Sequence, residues 1–155
     1  MFLDIAIDDP HRPALIDDLG TARAFGELLV RATRLGHAMR DAGVPVGGHI
    51  GTLTENRAEY FELYLAAIVS GVWLVPINGL LSSTEVDYVV ADADLALVFA
   101  EDELAHLVSD SRPVVRFGDE FEAMVAAGDT TPFPADGPPG SRFSYTSGTT
   151  GHPKG

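Results

Sequence analysis

Residues 63–77 form the longest apolar stretch of the chain, and it is interrupted by Ser70, Gly71 and Pro76. Those breaks leave it short of a membrane-spanning helix. They divide it instead into two pieces with different demands. The first belongs to a helix predicted over residues 58–69, where Tyr60, Phe61, Leu63, Leu65 and Ile68 leave few polar faces, so burial on more than one side is expected. The second, Val72-Trp73-Leu74-Val75 closed by Pro76, is a continuous apolar run of the kind that forms a strand covered on both faces. A buried helix feeding a buried strand is the building unit of a parallel α/β sheet.

The alternation extends in both directions. Gly47-Gly48 introduces a strand over residues 49–54, and Asn56 precedes the helix already described. Further upstream, Phe25, Leu28, Leu29, Ala32, Leu35 and Met39 recur at helical spacing until Gly43 stops the pattern. Before that, residues 14–16 and 21–24 flank Asp17-Asp18-Leu19-Gly20, a turn-forming cluster that predicts a hairpin. Downstream, Ser82 and Glu85 stand three residues apart, the offset of a capping box, ahead of Val86, Val89 and Val90. Residues 95–99 then read as a strand, 102–109 as a helix carrying Leu104, Leu107 and Val108, 114–117 as a strand and 120–127 as a short helix. Residues 128–140, rich in Pro, Gly, Asp and Thr, read as a surface connection, and 142–145 as a last strand. The expected fold is therefore α/β, with alternating strands and helices and a mostly parallel sheet.

The chain has 155 residues, 46% of them hydrophobic, which suits one domain with a sizeable core. A formal charge of −13 disfavours nucleic acid and anionic membranes as partners, because phosphate backbones are bound chiefly through Lys and Arg. With no cysteine there is no disulfide, thiolate nucleophile or cysteine metal site. Asp4, Asp8 and Asp9 occupy the place of a signal peptide's apolar core, so a soluble, cytoplasmic protein is expected. Lys154 is the single lysine, and a compositional bias toward Arg, Ala and Asp explains the scarcity.

Lys154 lies in the stretch Tyr145-Thr146-Ser147-Gly148-Thr149-Thr150-Gly151-His152-Pro153-Lys154-Gly155. Gly148 and Gly151 allow positive φ and close approach of backbone to a ligand. Successive amides in such a turn form an anion-binding nest, four hydroxyls add donors, and Lys154 adds a full positive charge. Phosphate oxygens are the natural guest. A Walker loop is excluded by spacing, since Pro153 precedes Lys154 and Gly155 follows it, and Gly-x-Gly-x-x-Gly is absent.

Residues 145–155 resemble the signature loop of the adenylate-forming enzymes: acyl-CoA synthetases, peptide-synthetase adenylation domains and luciferases. Phe25-Gly26-Glu27-Leu28 resembles the start of that family's first helix, and residues 67–78 its Gly-x-x-x-x-Pro strand. Asn78 after Val-Pro-Ile is more like an acyl-CoA synthetase (fatty-acid-CoA ligase) than a peptide synthetase, which tends to have aspartate there. The resemblance implies a two-step acid-thiol ligase. A carboxylate, such as a fatty acid, attacks ATP to give an acyl-adenylate and pyrophosphate, and coenzyme A then takes the acyl group. It places Thr146, Ser147, Gly148, Thr149, Thr150, Gly151 and Lys154 on the β and γ phosphates, with magnesium met by one of Thr146, Thr149 or Thr150.

The resemblance covers only the front part of a family member. Its adenine-binding segment, acidic magnesium residue, ribose-binding aspartate and C-terminal domain with a catalytic lysine have no counterpart here, so no catalytic set is complete. A truncated N-terminal AMP-binding domain, residues 1–155, inactive alone and prone to self-associate through an open sheet edge, is the expectation. The alternatives are a non-catalytic nucleotide- or partner-binding module, a peptide-synthetase adenylation domain, or a decayed gene product. His11, His37, His49, His106 and His152 lack metal-ligand spacing. Asp17-Asp18 and Glu101-Asp102-Glu103 are expected as turn and cap residues, and Tyr60 and Trp73 as core.

Overall fold

The computed structural model describes residues 2–16, 20–109, 111–134 and 136–145. A first helix, α1 (Phe2–Asp8), had no sequence signal; it packs on the next helix through Phe2 and Phe25, whose rings lie 5.4 Å apart. The hairpin follows as β1 (Pro13–Ile16) and β2 (Ala22–Ala24), antiparallel, with Leu15 opposite Arg23. Its strand β2 runs straight into α2 (Phe25–Asp41), whose buried Leu28, Ala32, Leu35 and Met39 repeat at the helical spacing read from the sequence. Gly43, at φ 93°, turns the chain out of α2.

Then come β3 (His49–Leu53), α3 (Ala58–Ser70), β4 (Trp73–Ile77), α4 (Ser83–Asp92), β5 (Leu95–Ala100), β6 (Val114–Arg116), α5 (Asp119–Ala127) and β7 (Ser141–Arg142). The five strands β3 to β7 form one parallel sheet in the order β6-β5-β3-β4-β7. The expected α/β fold with a parallel sheet is therefore the observed one. Between β5 and β6, residues 102–109 form turns and a single 3-10 turn, Ala105–Leu107, instead of the expected helix. Glu101 carbonyl accepts from both Leu104 and Ala105 amides, and Leu107 closes back on Leu104, so the bonds tighten to the short-range pattern that does not propagate.

The sheet is covered on both faces. Ile50, Leu74, Leu97 and Phe99 face α2, α3 and α5 through Leu35, Met39, Leu63 and Phe121. Leu53, Val75, Ile77, Val98 and Ala100 face Val86, Val89 and Val90 of α4. Leu95 joins the α4 side although it has the parity of Leu97. The register explains this: His49 pairs with Leu95 but Ile50 with Leu97, so Ala96 is a bulged extra residue that flips the alternation. The helix α3 is wedged between the sheet and α2, as its composition requires, while Phe61 stays half exposed. Tyr60, expected in the core, is half-buried against its margin, and Trp73, also expected there, is half-buried and belongs to neither core cluster.

Candidate nucleotide-binding site

Parallel strands bring their carboxyl ends to one edge, and open α/β sheets bind ligands there, at the place where strand order reverses. Here β4 lies on one side of β3 and β5 on the other, so the reversal sits beside β3. Residues 54–57 leave β3 at that point. The Glu101 carboxylate, just past β5, accepts from Thr54 Oγ1 at 2.5 Å and from the Glu55 amide at 3.0 Å. Glu101 is thus a clasp across the reversal and more than a cap residue, which its sequence context did not reveal. On the other side, Asn78 Oδ1 accepts from the Leu80 amide at 3.0 Å and shapes the exit of β4.

A cleft of about 340 Å³ opens beside this edge, lined by Leu15, Ile16, Glu55, Asn56, Tyr60 and Phe61 among others. Arg57, at its rim, is already committed. Its Nε and Nη2 donate to Glu59 at 3.1 and 2.9 Å, and its guanidinium stands 4.7 Å over the Phe117 ring. The hydrogen bond from Arg57 holds the Glu59 carboxyl below the usual glutamate range, and the same pairing raises Arg57. Among the described residues no cluster of His, Cys, Asp or Glu is arranged to hold a metal ion. His37 and His49 instead make structural contacts, with the Thr131 and Ala93 carbonyls.

The approach to the sequence-predicted loop is defined as far as Tyr145. Residues 128–140 carry no regular secondary structure in their described part, yet the segment is pinned at Phe133 and at Gly140. Phe133 stacks on His37 with ring centres 4.3 Å apart. Gly140 is buried, and a Cβ there would lie 2.0 Å from both the Ala67 and Val72 carbonyls, so only glycine fits. The strand β7 then pairs Ser141 with Trp73 and Arg142 with Leu74, running in the direction of β4. The expected strand over 142–145 stops early because, after the Phe143 amide bonds the Leu74 carbonyl at 2.8 Å, the Tyr145 side chain turns to α4. Thr146, Ser147, Gly148, Thr149, Thr150, Gly151 and Lys154 lie outside the described residues.

The model of the AMP-binding enzyme family matches residues 4–155. The chain belongs to that family. It is 33% identical over 155 residues to a fatty acid--[acyl-carrier-protein] ligase, ScoC, of Streptomyces coeruleorubidus, covering 95% of this chain and 30% of the relative. It is also 33% identical over 150 residues to a feruloyl-CoA synthase of Amycolatopsis sp, covering 94% and 30%. The crystal structure of VinN superimposes with a TM-score of 0.85 at 27% identity, covering 98% of this chain and 40% of that one. This AMP-binding chain thus spans about a third or less of the length of its curated relatives. Among its described residues no helix is long and apolar enough to cross a membrane.

Proposed function

We propose that this AMP-binding chain supplies the triphosphate-gripping part of an ATP-dependent, acid-activating ligase. Support comes from the continuity between fold and motif: a parallel sheet reverses beside β3, and a glycine-pinned strand parallel to β4 delivers the chain to residues 146–154. The donor chemistry of those residues fits the ligand. Four hydroxyls, the amides around Gly148 and Gly151, and one ammonium at Lys154 offset the negative charge that a chain of −13 would otherwise present to a polyphosphate. Magnesium, a hard ion that keeps waters and phosphate oxygens as ligands, needs only a threonine hydroxyl from this part, from Thr146, Thr149 or Thr150.

In the reaction, charge accumulates on the departing pyrophosphate, where pre-aimed donors stabilise it most. The substrate is a carboxylic acid and the products of the first step are acyl-adenylate and pyrophosphate. The names of the relatives support a carrier thiol as the second substrate, either coenzyme A or an acyl carrier protein. Asn78 favours the acyl-CoA synthetase branch. Residues 1–155 hold phosphate-binding groups but no matching adenine site or second lysine, so by themselves they form no acyl-adenylate. Incubation of this polypeptide with a carboxylic acid, Mg·ATP and pyrophosphatase-coupled detection tests it: no turnover is expected, and measurable pyrophosphate release contradicts the assignment of the missing roles.

A further inference from the structure

Side chains, more than the sheet, tether the segment that leads into the loop. The Tyr145 hydroxyl donates to Asp92 Oδ2 at 2.5 Å, on the last residue of α4. The Tyr145 ring meets Phe143 edge-on, with centres 5.6 Å apart. Phe143 in turn lies nearly parallel to the His49 imidazole at 5.8 Å. His49 Nδ1 donates to the Ala93 carbonyl at 2.6 Å, which returns the chain of contacts to the end of α4. Four side-chain contacts therefore close a circuit whose two hydrogen bonds land on adjacent residues, Asp92 and Ala93.

We propose that Asp92, acting through Tyr145, is a positioning residue for the phosphate-binding loop. The inference rests on reading residues 146–154 as the triphosphate site. Backbone pairing of β7 ends at Phe143, so the Tyr145–Asp92 bond is the last described tether ahead of residue 146. A hydroxyl bound to a carboxylate is one of the stronger hydrogen bonds available for this. Burial, then the bond to Asp92, push the Tyr145 hydroxyl far above the ordinary tyrosine range, so it stays a donor throughout neutral pH. Holding the residue that precedes residues 146–154 removes part of the ordering entropy that opposes ligand capture.

The test is a Mg·ATP titration of the full chain and of Tyr145→Phe, Asp92→Ala and the double variant, with thermal midpoints measured alongside. Each single change weakens Kd about fivefold, in keeping with loss of one charge-assisted hydrogen bond. The double variant is no weaker than either single one, because both remove the same bond. Asp87→Ala, on the same helix as Asp92, loses the carboxylate that accepts from the Ser109 amide, lowers the midpoint comparably and leaves Kd unchanged. Unchanged Kd in both single variants, or additive losses in the double, overturns the proposal while leaving the loop reading intact. No Mg·ATP binding by the parent chain overturns the loop reading and this inference with it. Should Tyr145→Phe fail to fold, Asp92→Ala decides alone, since Asp92 is exposed.

Discussion

Arg31 Nη2 of α2 lies 2.8 Å from Glu62 Oε2 of α3, and the Glu62 side chain has no exposure to water. Arg23 of the hairpin grips the other carboxylate oxygen, and Arg31 reaches on to Glu122 of α5 with bonds of 3.0 and 2.6 Å. One buried carboxylate thereby joins β2, α2, α3 and α5. A charge inside a dry core is tolerated only when paired, so the two arginines determine whether Glu62 can be there at all.

The network should respond unequally to its two halves. Replacing Arg23 and Arg31 together with Met strands a buried charge and costs about 3–5 kcal/mol. Glu62→Gln keeps an acceptor oxygen for one guanidinium and turns a donor NH2 on the other, both partly exposed, and costs about 1–3 kcal/mol. Urea unfolding at neutral pH compares them; a larger loss for Glu62→Gln contradicts the account.

Two glycines separate a steric demand from a conformational one. Gly140→Ala forces a Cβ against two carbonyl oxygens, so β7 must leave β4 and Mg·ATP binding falls with it. Gly43→Ala meets open space and pays only for φ 93°, about 1–2 kcal/mol, with binding unchanged. Thermal melts and nucleotide titration of both variants check this, and equal losses of binding count against a special role for β7.

Glu59 supplies a pH dependence of known sign. Its carboxyl titrates lower in the folded chain than unfolded, because Arg57 hydrogen-bonds the charged form. The stabilisation is present in full above the unfolded value of about 4.3 and is lost as pH falls through the folded value. Being a partly exposed pair, it contributes less than about 1 kcal/mol. The stability gap between parent and Glu59→Gln therefore shrinks between about pH 5 and pH 3 in urea titrations; a gap independent of pH contradicts the pairing.

Strand and helix order was legible because each piece carries its own signal. The unbroken apolar run at residues 72–75 suits a strand covered twice and becomes β4, which runs on through Pro76 to Ile77 instead of closing at the proline, and the Ser82–Glu85 offset forms the expected reciprocal cap, with Glu85 Oε2 accepting from the Ser82 amide at 2.9 Å. What failed was short or non-local. The 3-10 turn at 105–107 shares leucine spacing with a helix but is too short to propagate. The helix α1 is held by Phe2 against Phe25, a contact that local periodicity does not encode. Glu62 carries no local signal in the sequence, since its partners lie 31 and 39 positions away. Glu101, similarly, was read as a cap because Thr54 is 47 residues distant. The proposal for residues 146–154 rests on residue types alone, whereas the Tyr145–Asp92 tether that precedes them has no sequence signal.

The most direct measurement is amide hydrogen exchange of the chain with and without saturating Mg·ATP, repeated with Lys154→Ala. The account predicts nucleotide-dependent slowing confined to residues 143–155, reduced in the Lys154→Ala variant. Slowing at the Asn56–Tyr60 cleft instead, with residues 146–154 unaffected, would contradict it.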